Sequence, residues 1–290
     1  MTARQALELT AKQAGFDSTD AELIRAGENT LFRLVDGVVA RVGRPGQEAA
    51  ANKEVQVSRW LSTAGIAVVE AMLEITQPIV VDGVPVTFWR ELPLHREGSV
   101  DQVADVLRQL HALQPPPYLD LSPLAPFVRL DERIAEASVF SDADRQWLHE
   151  HLHRLQQRYA ELPAGLPRGA VHGDAWGGNI VATAGGPVVL DLERFAYGPP
   201  EWDLVSIAVD HFTFGSLSDA EWAEFCHRYG YDVTDWAGYT VLRDARELRK
   251  VTFAAQMAAQ YPHLRKQAQY RLACIRGERG SRPWNWEPVP

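Results

Sequence analysis

The chain has 290 residues, 46% hydrophobic and 23% charged, enough apolar content to bury a large core in one domain or two lobes. Its 38 acidic residues outweigh 29 basic ones for a net charge of −9, which sets nucleic acid outside the expected ligands. Only two cysteines occur, Cys226 and Cys274, without CxxC spacing; they exclude a disulfide scaffold or cysteine zinc site and fit a reducing cytoplasm.

Residues 1–15 alternate apolar positions with Arg4, Glu8 and Lys12 and read as an amphipathic helix rather than a signal peptide. No run of about 18 uncharged apolar residues follows, so no transmembrane helix is expected. Residues 22–92 are strand-rich. Asp36-Gly37 separates 31–35 from 38–42, and Asp82-Gly83 separates 79–81 from 84–89. Asp-Gly between β-branched runs signals a hairpin, because Gly accepts the positive φ of the turn. Between the hairpins, 47–64 carries Val55, Val57, Trp60 and Leu61 near helical spacing. From Val100 onward helices dominate: 100–113, stopped by Pro115-Pro116-Pro117, then 142–162, 218–229, and one or two over 236–278. One β island, 171–192, interrupts them. The pattern predicts an α+β chain with a small antiparallel lobe over 1–92 and a mostly helical lobe over 93–290 that contains a hairpin. Clefts between such lobes commonly hold ligands.

The island opens with Val171-His172-Gly173-Asp174-Ala175-Trp176-Gly177-Gly178-Asn179. Ile180-Val181-Ala182, a turn around Ala184-Gly185-Gly186, and Pro187-Val188-Val189-Leu190 then form a hairpin, and Asp191 follows. Asn179 and Asp191 are symmetric about residue 185. A register centred there sets an amide oxygen beside a carboxylate, with Cβ atoms about 5 Å apart. Two hard oxygen donors suit Mg²⁺. Asp174, on the entering loop, can reach the same space. Phosphoryl transfer needs this set: the metal offsets phosphate charge, and a carboxylate orients the acceptor hydroxyl and takes its proton. The spacing Asp174-x4-Asn179 echoes the protein-kinase catalytic loop. HGD alone carries little, since Asp also favours turns; the whole set in order carries the reading.

Residues 171–179 resemble the HGDxxxxN loop of the aminoglycoside phosphotransferases and related small-molecule kinases. Leu190-Asp191-Leu192-Glu193 with Gly198-Pro199-Pro200-Glu201-Trp202-Asp203-Leu204 resembles their next block. Leu107-Arg108-Gln109-Leu110-His111-Ala112-Leu113 is similar to their LxxLHxL helix, so the resemblance runs from about residue 22. It implies a bilobal protein-kinase-like fold with ATP and Mg²⁺ as cofactors. Asp174 would be the catalytic base, with Asn179 and Asp191 as metal ligands. His172 would brace the loop, and Asp203 would anchor backbone amides at a helix start. Strand alternation puts Glu193 on the side of Asp191, where it has three options: a second metal, the substrate, or a cation. Such kinases hold the α- and β-phosphates with a strand cation, usually lysine, paired to a helix glutamate. Here the strand offers Arg41, while Lys53 lies on the helix beside Glu54, so Arg41 paired with Glu54 is expected in that role. Gly27-Glu28-Asn29-Thr30 takes the place of the phosphate-covering loop, with Thr30 or backbone amides toward the γ-phosphate. Phe88 to Pro93 matches the hinge, where backbone groups of Arg90, Glu91 and Leu92 would meet adenine.

The acidic chain favours a neutral or cationic acceptor. Near its end, Trp284-Asn285-Trp286 offers flat faces beside an amide, which suits a sugar; two tryptophans equally suit a tail pinned to apolar surface. This block, with Glu278, resembles actinobacterial glucosamine kinases of the same superfamily. That implies transfer to O6 of glucosamine, with Glu278, Asn285 and Trp286 shaping the pocket and Glu278 meeting the 2-amino group. Tyr197 and Trp222 read as lining residues or, more readily, as core aromatics. Two alternatives stand beside this reading. One is a kinase for aminoglycosides, maltose or other hydroxyl compounds, with Glu278, Glu193 and Asp210 as an acidic pocket. The other is a metabolite-binding pseudokinase. The oligomeric state is open, with a monomer as the default.

Overall fold

A computed structural model describes residues 1–27 and 29–289. In chain order the elements are α1 (Ala3–Ala14), β1 (Glu22–Ala26), β2 (Thr30–Arg33), β3 (Val38–Val42), α2 (Glu48–Thr63), β4 (Ile79–Val81), β5 (Val84–Arg90), β6 (Arg96–Glu97), α3 (Val100–His111), α4 (Leu130–Ala135) and α5 (Asp142–Ala160). They continue with β7 (Gly169–Val171), β8 (Ile180–Thr183), β9 (Gly186–Val189), β10 (Ala196–Gly198), α6 (Glu201–Val209), α7 (Asp219–Tyr229), α8 (Tyr239–Gln260) and α9 (Arg265–Ile275). An antiparallel sheet region thus precedes a helical one, the α+β arrangement expected.

The chain divides into two compact units, residues 1–122 with 177–196, and residues 123–176 with 197–290. The boundary expected at 92–93 therefore falls inside the first unit. The reason is pairing: β6 and β8 are antiparallel neighbours, and Val69 N and Val189 N exchange hydrogen bonds with Val189 O and Ala67 O, each at 2.9 Å. The hairpin β8–β9 therefore belongs with the strands that precede it.

In the first unit the sheet order is β1-β2-β3-β5-β4, antiparallel throughout. Asp82 and Gly83 both take positive φ (49° and 73°), which gives β4–β5 the expected two-residue turn. The other Asp-Gly sits in a 3-10 turn, Val35–Gly37. Along β3, Val38, Ala40 and Val42 are buried and pack in one core with Ala6, Leu7 and Ala11 of α1. Because strand side chains alternate, Arg41 is turned to the opposite face. Thr2 caps α1: its hydroxyl accepts from Gln5 N and its amide donates to Gln5 Oε1, while Gly15 at φ 80° ends the helix.

The second unit is built on α4, α5, α8 and α9, whose Leu130, Ile134, Leu148, Leu152, Leu248, Val251 and Leu272 share one core. Short α4 has no sequence signal, and Pro262 lies between α8 and α9. Every residue of α6 is buried, and it runs into a π-helical turn, Asp210–Phe214, ended by Gly215 at φ 66°. Among the described residues, no helix is long and apolar enough to cross a membrane.

Candidate active site

In the first unit, Arg41 pairs with Glu54 of α2 and, at 3.2 Å, with Glu193. With the Asn29 amide turned so that its oxygen faces the guanidinium, that oxygen accepts from Arg41 Nη2 at 2.6 Å and Nε at 3.1 Å. Burial pushes Glu54 up to about 7; Arg41 pulls against this, and the nearby Glu193 and Asp191 carboxylates add to it. Lys53 does not join the cleft chemistry. Its ammonium donates to Glu193 O at 2.8 Å and Phe195 O at 3.0 Å, and burial holds it below the ordinary lysine value. An open cleft is lined by Asn29, Arg41, Arg44, Gln47, Thr87 and Glu193, among others. Gly43 lets β3 approach β5 there, since a Cβ on it would stand 3.0 Å from Pro85 Cγ.

In this unit the hairpin register and Glu193 depart from the sequence expectations, and Thr30 and residues 90–92 are not among the residues lining this cleft. Thr30 is paired into β2 opposite Val42, and its neighbour Asn29 lines the cleft instead; Glu28 lies outside the described residues. Arg90 N donates to Glu70 O and Glu91 N to Gly37 O, so those two donors are taken from any adenine base, and neither they nor Leu92 line the cleft. The hairpin register pairs Thr183 with Gly186 and Ile180 with Val189, so it centres between residues 184 and 185. Leu190 N donates to Asn179 O at 2.7 Å, which sets Asn179 opposite Leu190 rather than Asp191. Thr183 Oγ1 fixes this turn, accepting from Gly185 N and donating to Gly186 O. Asp191 then leaves the strand at φ 50°, and Glu193 lies in a 3-10 turn, Leu192–Arg194. Strand alternation therefore does not govern Glu193, whose partner is the cation Arg41.

In the second unit, β7 delivers the loop that carries Asp174. His172 is fully buried and its Nδ1 accepts from Asp174 N at 3.3 Å. Gly173 turns the chain at φ 86°. The buried Asp203 carboxylate accepts from His172 N at 2.7 Å and Gly173 N at 2.9 Å. It does anchor amides, but those of the Asp174 loop. The Asp174 side chain itself is 47% exposed, with Arg246 Nη1 at 3.6 Å from Oδ1.

A family model for the phosphotransferase enzyme family, APH, matches residues 20–242. The chain belongs to that family. Enzymes of this family use ATP with a divalent metal. No curated protein sequence matches it. Similar solved structures include a choline/ethanolamine kinase family protein from Mesorhizobium loti, 20% identical, covering 96% of this chain and 94% of that one with a TM-score of 0.65. Another is aminoglycoside phosphotransferase APH(3'')-Id from Streptomyces rimosus, 20% identical over 82% of this chain and 96% of that one, TM-score 0.62. A third is the amicoumacin kinase hAmiN in complex with AMP-PNP, Ca²⁺ and Ami, 14% identical over 92% and 94%, TM-score 0.66. At these identities the likeness speaks for the fold.

The phosphotransferase residues fit both cofactors. Arg41 and Arg44 give the cleft the cationic lining that polyphosphate needs. Asn179 and Asp191 are the hard-oxygen side chains of this segment that would hold a divalent metal, and among the described residues no three His, Cys, Asp or Glu side chains gather as a metal site. A Mg²⁺ held by so few protein donors takes phosphate oxygens as further ligands.

At the C-terminal end of the phosphotransferase, Trp286 is only 3% exposed. It packs edge-on to Phe214 at 5.5 Å and stacks on Trp284, so it is core, and its faces are closed to a sugar. Trp222 is core as well, stacked on Phe225, while Tyr197 is exposed. Asn285 is exposed at φ 51° and Glu278 is exposed with Arg276 at 3.7 Å. Sequence reasoning missed the charges of α8: Arg246, Glu247 and Lys250. Glu247 is buried, takes Arg282 at 2.6 and 2.7 Å, and accepts from Thr213 Oγ1. Burial lowers Lys250, opposed by Asp210 and Asp174. The available signal was Arg246-Glu247 lodged between Ala245 and Leu248 on the apolar side of a helix.

Proposed function

We propose that this small-molecule phosphotransferase moves the γ-phosphate of ATP to a hydroxyl of an amino sugar, most specifically O6 of glucosamine. In this reading Asp174 orients the acceptor hydroxyl and takes its proton. The observation that supports this most is the Asp174 carboxylate: half-exposed, on a loop whose amides are fixed by Asp203. Arg41, oriented by Glu54, would hold the α- and β-phosphates, assisted by Asn29 and Arg44. Asn179 and Asp191 would hold the divalent metal, which when bound offsets charge on the phosphates. Glu278 and Asn285 are the exposed residues of the terminal block able to meet an acceptor, with Glu278 toward the 2-amino group; Trp286 would support them from the core. Support for the amino sugar comes from the terminal block's resemblance and from the net charge of −9, which attracts a cationic acceptor. An aminoglycoside kinase is the second reading, favoured by the structural likeness to the Streptomyces rimosus enzyme.

A coupled ADP-release assay with ATP, Mg²⁺ and a panel of glucosamine, kanamycin, maltose and choline tests the assignment. Fastest release with glucosamine, and phosphate on O6 of the product, is expected. Turnover of kanamycin without turnover of millimolar glucosamine would defeat the amino-sugar assignment. Failure to bind ATP in the presence of metal would favour a pseudokinase.

A further inference from the structure

Burying a guanidinium is costly unless its charge and its N–H groups are met. Arg246 is 3% exposed; it is met by the Trp202 carbonyl of α6 and by the Asp174 loop, while its Nε has no hydrogen-bond partner among the described residues. Its Cζ lies over the Trp202 ring, 4.0 Å from the centroid. Nη2 donates to Trp202 O at 2.8 Å and to Gly173 O at 3.4 Å, and Nη1 stands 3.6 Å from Asp174 Oδ1. Trp202 Nε1 donates to the same Gly173 carbonyl at 2.8 Å. The loop is therefore held at its amides by the anion of Asp203 and at its carbonyl and carboxylate by the cation of Arg246. Through one fork Arg246 donates to the carbonyl of the peptide that precedes Asp174 and stands in ion-pair range of the Asp174 carboxylate. An ammonium brings the same charge without the fork or the planar group that lies over Trp202.

We propose that Arg246 is a positioning residue for phosphoryl transfer, fixing the Asp174 carboxylate in the orientation from which it takes the acceptor proton. This rests on the assignment of Asp174 as the base. Displacing a reacting group by about 1 Å costs about a hundredfold in rate, so the fork matters as well as the charge.

The test is steady-state kinetics of Arg246→Lys and Arg246→Met, each alone and combined with Asp174→Asn, with ATP and glucosamine, or kanamycin where the panel selects it. Calorimetric ATP affinity and thermal unfolding accompany the rates. Arg246→Lys is expected to fold and to lose about a hundredfold in kcat, with KM for ATP within about threefold of the parent. In the Asp174→Asn background either substitution is expected to change the residual rate less than about threefold, because the carboxylate it positions is gone. If Arg246→Met does not fold, the lysine variants give both readings. Arg246→Lys keeping kcat within about threefold of the parent overturns the proposal. So does a loss in the Asp174→Asn background as large as in the parent, since Arg246 would then act on something else. Full turnover by Asp174→Asn alone is a separate failure: it removes the base assignment and this proposal with it.

Discussion

Around Arg41, charges line an open cleft and are shared: one guanidinium is divided among Glu54, Glu193 and the Asn29 amide. Around Asp174, the groups that grip the loop, Asp203, Trp202 and Arg246, are buried, while the Asp174 carboxylate reaches solvent. The first arrangement can exchange partners when phosphate arrives, since an arginine in a polar cleft trades a carboxylate for a phosphate oxygen at small net cost. The second cannot rearrange without exposing unmet buried groups. Ligand capture and reaction geometry are thus assigned to different kinds of local structure, one adaptable and one fixed.

Substitutions sharpen this contrast, beginning with the fixed side. Trp286→Ala is expected to cost about 4 kcal/mol, because it empties core space beside Phe214 and Trp284. Chemical denaturation measures this, and an unchanged midpoint with a raised acceptor KM would return Trp286 to the role of a sugar-facing side chain. Asp203→Asn weakens two buried charge-assisted bonds and should lower stability by about 3 kcal/mol, with kcat down more than about a hundredfold. Glu193→Gln, on the adaptable side, should leave the unfolding midpoint nearly unchanged. Equal effects of the two would erase the distinction.

Glu54 gives an intermediate effect with a definite sign. Folding raises it from 4.5 to about 7, so the folded state binds this proton more tightly than the unfolded state. Its contribution is fully present below about pH 4.5 and is lost as pH rises through 7. Glu54→Gln should remove about 2 kcal/mol of that pH dependence between pH 5 and 8, read from denaturation midpoints. An identical slope in the variant would show that Arg41 keeps Glu54 ionised throughout. A small effect is likewise expected at Arg90, whose pairs with Glu70 and Glu74 are exposed; Arg90→Ala should cost less than about 1 kcal/mol.

The legible parts of the molecule were those fixed by local rules. Two Asp-Gly turns located the hairpins, and alternation along Val38-Val39-Ala40-Arg41-Val42 set Arg41 on the face that meets Glu54. Errors arose where a rule ended within one residue. The turn closed by Thr183 and Gly186 shifted the centre by half a residue, which was enough to separate Asn179 from Asp191 in register. Asp191 then left the extended conformation, and alternation no longer applied to Glu193. The tryptophans failed differently: an aromatic beside an amide reads alike on a sugar platform and in a core, and only tertiary packing decides. Arg246 was half-legible: a charged pair on the apolar side of α8 marks it, but its partners lie on a loop and a helix far earlier in the chain. The cleft wall was half-read for the same reason, since Asn29, Arg44, Gln47 and Thr87 converge from separate segments.

The central claim is that Asp174 performs chemistry and not binding. Its most direct test is turnover by Asp174→Asn at saturating ATP and acceptor, beside a calorimetric ATP titration of the same preparation. The expected result is a kcat at least about a thousandfold below the parent, with ATP affinity within about threefold. A variant that turns over at the parent rate, or that loses ATP affinity in proportion to kcat, would contradict it.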